Sequence, residues 1–310
     1  DQLYEWDRYS DIYETGKSYS WEKSKKIILN AFYNFSEIFG QTAEKFFDQN
    51  WIDAEINEGK RNGAFCSYGT PETNPYVLIN YTGKINDLLT LAHELGHGIH
   101  SYLARGQNIL EFNVSTATAE IASIFCESLT LNKILKEIKD DRTQTNLIAS
   151  QLQSDFASIF RQISFYQFER DIHKHRRQKG ELSANEFSDY YQKRMQSMFG
   201  SGLKLTKNHR QWWMPVLHFY HYNFYVFTYS MGNLITYALY NIYQKDGKNF
   251  TKNYLEALKI GGSKKPAEII KIMGADINNE DFWQNGLDYL DNLVNQFEKD
   301  NPDSGFSRDD

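Results

Sequence analysis

Cysteine and proline are scarce in this chain of 310 residues, with two of the first and five of the second. Cys66 and Cys126 lie far apart without metal-ligand spacing, which excludes a disulfide framework or a zinc ribbon and makes a reducing, cytoplasmic setting the expectation. Excess positive charge is missing too. The net charge is -6, and the basic residues are scattered without a cationic stripe, so nucleic acid is not an expected partner. The opening residues DQLYEWDRYS have no basic segment followed by an apolar one, so no signal peptide is expected, and they do not begin with Met. GxSxG elbows, Walker loops and GxGxxG elements are absent. Between Trp212 and Tyr243 there is no Asp, Glu, Lys or Arg, a length that would span a bilayer. Yet Pro215, His218, His221, Asn223, Asn233 and seven tyrosines in that stretch would be costly in hydrocarbon. A helix buried beside a polar site uses such residues, so no membrane partner is expected.

What the chain does have is a globular composition, 41% hydrophobic and 24% charged, with 15% aromatic residues that must line something. Residues 1–300 are expected to form one domain and 301–310, NPDSGFSRDD, a flexible tail. The periodicity predicts a mainly α fold. Ser20 caps a helix with apolar residues at Ile27, Ile28, Ala31, Phe32, Phe35 and Ile38, and Gly40 is expected to end it. The Gly-, Pro- and Asn-rich stretch that follows contains Ala64 to Tyr68 and Tyr76 to Tyr81, which read as a small hairpin. Further helices are expected at 86–106, 115–139, 142–179, 183–198, 217–245, 247–259, 266–273 and 280–299. No internal repeat is present.

The chemistry concentrates in LAHELGHGIH at 91–100. On a helix, residues four apart are neighbours on one face. His93 and His97 therefore offer a nitrogen each to one ion, with Glu94 to the side, in reach of a water on that ion. Zn²⁺ brings bound water to a pKa near 7, and a neighbouring carboxylate takes its proton as the water attacks a carbonyl. Two partly buried histidines bonded to backbone are the bland alternative. A catalytic zinc needs a third protein ligand, and TATAEIASIFCES supplies Glu120 and Glu127 as its only acids, on nearly one face of a helix. Two carboxylates facing inward would be costly unless a cation met them. Glu120 is assigned as third ligand and Glu127 as an acceptor orienting a liganding histidine; on spacing alone the reverse stays open. His100 shares the face of His93, but Leu103 and Ala104 stand where an HExxHxxGxxH arrangement would put a third histidine. His100 is therefore read as packing or supporting the ligands. His173 and His175, two apart, face different ways, with Gly180 as the stop of their helix.

The chain resembles the zinc oligoendopeptidase F family, relatives of thimet oligopeptidase. The match runs from about Tyr4 to about Glu298 through GKRNGAF, NYTGKINDLLTLAHELGHGIHSYLA, AEIASIFCE, SFYQFE, HFYHYNFYVFTYSMG and GGSKKP. The resemblance implies one Zn²⁺ held by His93, His97 and Glu120, with Glu94 as general base. It also implies that a histidine and tyrosines on a later helix, here His218, His221, Tyr225 and Tyr229, donate hydrogen bonds to the oxyanion and the substrate backbone. Tyr222 and Asn223 stand where the family's pattern has Thr-Pro. Implied, too, are a helical zinc-metallopeptidase catalytic domain with its small sheet near the active site and short peptides as substrates. An N-terminal region of the family would be largely absent, which would remove one wall of the substrate channel and weaken size selectivity. Tyr76 to Asn80 is expected as an edge strand that could pair with an extended peptide, or as a hairpin that merely covers the helix. Two rivals use the same centre: a zinc carboxypeptidase or dipeptidase, which needs a cationic clamp not evident near the motifs, and a metal-stabilised peptide-binding module without catalysis.

Overall fold

The computed structural model describes residues 2–9 and 17–300, and the expected tail at 301–310 lies outside the described residues. Its first long helix begins where the sequence offers a cap. The Ser20 hydroxyl accepts the Lys23 N–H at 3.3 Å, and α1 runs Trp21–Phe35 with Ile27, Ile28, Ala31, Phe32 and Phe35 buried. The expected stop at Gly40 is not found. Ser36, in an extended conformation, ends α1 and caps α2 (Glu37–Asp48) by accepting the Ile38 N–H. Gly40 lies inside α2, where an added Cβ would stand 2.3 Å from the Tyr33 ring. There the glycine serves close packing rather than chain reversal.

Three short strands follow, β1 (Ile52–Asp53), β2 (Phe65–Ser67) and β3 (Tyr76–Leu78). The expected hairpin is present: β2 and β3 pair antiparallel, with Cys66 opposite Val77. However, β1 pairs parallel to β3, so the sheet order is β1-β3-β2. The Val77 and Ile79 N–H groups donate to the carbonyls of Trp51 and Asp53, both at 2.9 Å. This corrects the expectation of an edge strand at Tyr76 to Asn80, since β3 is central and β2 is an edge. Two-residue β1 is too short to show an alternating pattern.

The helices continue with α3 (Ile85–Leu103), α4 (Ile109–Phe112), α5 (Thr116–Glu137) and α6 (Asp141–Asp155), then a π-helical segment Phe156–Arg161 leading into α7 (Gln162–Lys179) and α8 (Ala184–Phe199). After them come α9 (His218–His221), α10 (Phe227–Asp246), α11 (Lys248–Leu258), α12 (Pro266–Ile272) and α13 (Glu280–Asp300). The single helix expected at 217–245 is broken. Phe224, at φ +58°, lies in the break between α9 and α10, in a left-handed conformation costly for a bulky residue. Among the described residues no helix is long and apolar enough to cross a membrane.

The chain divides into two compact units, Asp1–Glu14 with Ser150–Met231, and Thr15–Ala149 with Gly232–Asp310. In the second, an aromatic core joins Phe35 of α1, Phe125 of α5 and Tyr254 of α11, with Phe125 and Tyr254 stacked at 4.6 Å. In the first, Phe165, Phe168, Tyr191 and Met195 form the core between α7 and α8. There the Glu5 carboxylate accepts the Thr206 N–H at 2.7 Å, and the Ser230 hydroxyl donates to the Ile159 carbonyl of the π segment at 2.9 Å.

Candidate metal centre

Helix α3 is anchored at its start by Asp87, whose carboxylate accepts the N–H groups of Thr82 and Lys84. Its apolar residues Leu88, Leu91, Ala92, Leu95 and Ile99 are all fully buried. This fixes the rotation of the helix, and with it the rings of His93 and His97, whose centroids lie 4.9 Å apart. Gly96, between them, is where α5 crosses. A Cβ at Gly96 would stand 2.5 Å from the Ala122 carbonyl oxygen and 2.6 Å from the Ser123 Cα. The two backbones therefore touch, and that contact delivers Glu120. From the other side Gly232 of α10 abuts the Glu120 stem, with an added Cβ only 2.9 Å from the Glu120 Cβ.

The Glu120 Oε2 atom lies 3.3 Å from His93 Nε2 and 3.6 Å from His97 Nε2, and the three donor atoms fall within 4.8 Å of one another. The far side of each ring is occupied. His93 Nδ1 meets Glu127 Oε2 at 3.1 Å. An ionised carboxylate only accepts, so Nδ1 keeps its proton, and Nε2 is the nitrogen left to face an ion once its own proton is released. His97 Nδ1 meets the Tyr68 hydroxyl at 3.1 Å. Glu120 Oε2 also accepts the Ser123 hydroxyl at 3.0 Å. Two imidazole nitrogens and a carboxylate oxygen converging on one point, each ligand held from behind, are the donor set of a catalytic zinc site. The residues fit the ion.

The charges agree with this. Burial pushes the His97 pKa down to about 3, reinforced by the charge on His93, so its ring is neutral and able to ligate. Burial also disfavours charge on His93, but the carboxylates of Glu120 and Glu127 outweigh it and hold that imidazole above its ordinary range. For Glu120 burial acts upward, but the hydrogen bond from His93, the charge on that ring and the Ser123 hydroxyl leave it below the usual carboxylate range. Glu94 is 7% exposed, and burial raises its pKa to about 7 although the Cys66 backbone N–H hydrogen-bonds it. Its Oε2 has no hydrogen-bond partner among the described residues. His100 is buried, with its pKa lowered to about 4. It lines, with His97, Tyr68 and Ser101, a cavity of about 10 Å³, the room of about one water.

In the other unit, His218 Nε2 meets the Tyr229 hydroxyl at 3.2 Å. The Tyr225 ring stacks on His218 at 5.8 Å and meets Tyr229 edge-on at 5.4 Å. These three form one cluster even though the helix expected to carry them is broken. His221 stands outside it, exposed, with its ring 6.3 Å from that of Tyr222.

Sequence reasoning missed Tyr68, Ser123, Gly96 and Gly232. Tyr68 reaches His97 from the turn after β2 and has no local signal. The two glycines carried one: small residues next to candidate ligands mark places where helices touch.

A model described as Peptidase family M3 matches residues 22–289. Oligopeptidase PepF of Bacillus subtilis is 30% identical over 303 residues, covering 95% of this chain and 45% of its own length. The chromosomal oligoendopeptidase F of Lactococcus lactis subsp. cremoris is 33% identical, covering 86% of this chain and 44% of its own. A solved structure from Chlamydophila abortus superposes with a TM-score of 0.85 at 28% identity, over 97% of this chain and 50% of that one. The chain thus spans about half the length of the curated relatives it matches.

Proposed function

The chain belongs to peptidase family M3, and on that premise we propose that it is the catalytic portion of a zinc-dependent oligoendopeptidase that hydrolyses internal bonds of short, unstructured peptides. The observation that carries this reading is the convergence of His93, His97 and Glu120 within 4.8 Å, with Glu94 one residue from the first ligand. The similarity to an oligopeptidase of Bacillus subtilis and an oligoendopeptidase of Lactococcus lactis supports it.

In this reading His93, His97 and Glu120 hold one ion, and Glu127 fixes the His93 ring by accepting its Nδ1–H. When bound, Zn²⁺ supplies Lewis acidity to the scissile carbonyl and to the attacking water. Glu94 takes a proton from that water and returns it to the leaving amine. His218, His221, Tyr225 and Tyr229 are the candidate donors to the oxyanion and the substrate backbone; one well-aimed donor is worth about 3 kcal/mol. His100 keeps the wall behind His97 neutral. The reading includes a cytoplasmic setting.

The test combines metal analysis of the purified chain with hydrolysis of an internally quenched peptide before and after chelation. One zinc per chain, loss of turnover on chelation and recovery on adding Zn²⁺ are expected. A second substrate blocked at both ends should be cut internally. Cleavage restricted to free termini would favour the carboxypeptidase rival, and full activity without metal would overturn the reading.

A further inference from the structure

Glu169 is an acid with no part in the chemistry above, and it ends the SFYQFE segment. Its side chain is 1% exposed. Its Oε1 accepts the backbone N–H of Phe224 at 3.0 Å, while Oε2 is buried with no hydrogen-bond partner among the described residues. Burial raises its pKa. A core has little use for half-satisfied carboxyl groups, because an apolar residue of similar shape would fill the space without the desolvation cost. What Glu169 touches supplies the reason to keep it.

Phe224 is the residue that breaks the helix. Only Asn50 and Phe224 among the described non-glycine residues have positive φ, and Asn tolerates that region whereas a bulky aromatic does not. Such a conformation persists only where the surroundings over-determine it. Here α7 does so with one face. Tyr166, Glu169 and His173 are spaced by three and four residues, so they project together. The rings of Tyr166 and His173 meet the Phe224 ring at 6.0 and 4.9 Å, and Glu169 between them takes the backbone N–H. One residue past this grip comes Tyr225, which packs on His218 and Tyr229. The Tyr225 carbonyl accepts the Thr228 N–H and hydroxyl at the start of α10.

We propose that Glu169 is a positioning residue: by holding the Phe224 N–H it locks the left-handed turn that sets Tyr225, Tyr229 and His218 in one arrangement. Its effect on turnover rests on the role given to those three side chains under the proposed function. The arrangement itself does not.

Glu169→Met keeps volume and helix propensity but removes the acceptor, whereas Glu169→Gln keeps an acceptor of the same reach. In the full chain loaded with zinc, Glu169→Met is expected to lower kcat by about tenfold or more with KM changed little, because displaced donors lose transition-state contacts first. Glu169→Gln should restore kcat to within about threefold of the parent. In the chelated chain, the His218 C2–H resonance should move in Glu169→Met and return in Glu169→Gln. Glycine adopts positive φ freely, so in a Phe224→Gly background the further loss from Glu169→Met should shrink to about threefold or less.

Parent-like kcat and an unmoved His218 resonance in Glu169→Met overturn the inference, as does a Glu169→Gln variant no better than Glu169→Met. Should Glu169→Met not fold, the double variant with Phe224→Gly decides. It is expected to fold, and its failure to do so would mean that Glu169 serves the core and not Phe224. Tyr229→Phe separates the two claims. If it leaves kcat unchanged while the His218 resonance still responds to Glu169→Met, the catalytic role of the cluster falls and the lock stands.

Discussion

Replacing Glu94 by Gln tests both the role and the surroundings of that carboxyl. It removes the ability to take a proton while keeping shape and an acceptor for the Cys66 N–H. Loss of a positioned general base costs about 10²–10⁴-fold in rate, so kcat should fall about 10³-fold with zinc still bound at one per chain. The surroundings give a second readout. In the folded chain the Glu94 pKa is raised by burial from 4.5 to about 7. Between those values the folded state holds a proton that the unfolded state has released, so stability falls as pH rises through the window. At 1.36 kcal/mol per unit, the roughly 2.5-unit gap makes an ionised Glu94 cost about 3 kcal/mol above pH 7. Gln carries no such cost. In the chelated chain, urea unfolding of parent and Glu94→Gln should give similar midpoints near pH 4.5. By pH 8 the variant should be more stable by about 3 kcal/mol. Midpoints that stay parallel from pH 4.5 to 8 would mean that Glu94 ionises as freely as in water, which refutes the dry environment. Retained turnover in the zinc-loaded variant would refute the base.

Glu127→Ala should weaken zinc binding about 10- to 100-fold, measured by competition with a chromogenic chelator, with activity partly recovered in excess Zn²⁺. Zinc loading at neutral pH should release close to one proton per chain, because the raised His93 pKa means that its imidazolium must lose a proton before it can ligate. Calorimetry in buffers of different ionisation enthalpy reads this directly, and buffer-independent heats would contradict it. Gly96→Ala should destabilise the chain by about 1–3 kcal/mol or more and cut zinc affinity, since the new Cβ meets backbone that cannot yield. Gly106→Ala, which meets nothing within 4 Å, is the control and should be neutral.

Much of this was legible because helix periodicity carries far. The stripe through Leu88, Leu91, Leu95 and Ile99 orients His93 and His97 without any tertiary information. Glu120 and Glu127 stand out as the only acids of an Ala/Ser/Ile helix, which is why their meeting with the histidines reads from sequence. Long-range backbone effects do not read in this way. Phe224 adopts a glycine-like conformation because α7 grips it, so YHYNFYVF gives no sign of the break between α9 and α10 beyond the departure of Tyr222 and Asn223 from the family's Thr-Pro. Gly40 has the form of a helix stop and serves instead as a seat for Tyr33. The parallel partner of β3 has only two residues, too few for alternation to register, and without it β3 looked like an edge. Tyr68 reaches His97 from a turn 29 residues earlier, and no pattern within α3 foretells it.

The backbone contact at Gly96 bears on how the centre is filled. Because α3 and α5 meet main chain to main chain, the third donor is delivered by the frame of the protein and does not depend on a long side chain searching for its place. An incoming cation would find a cradle already shaped, with little reorganisation left to oppose it. Stripping and reloading should then be a reversible exchange within a folded scaffold, and related divalent ions should trade places there with their relative occupancy governed by supply as much as by fit.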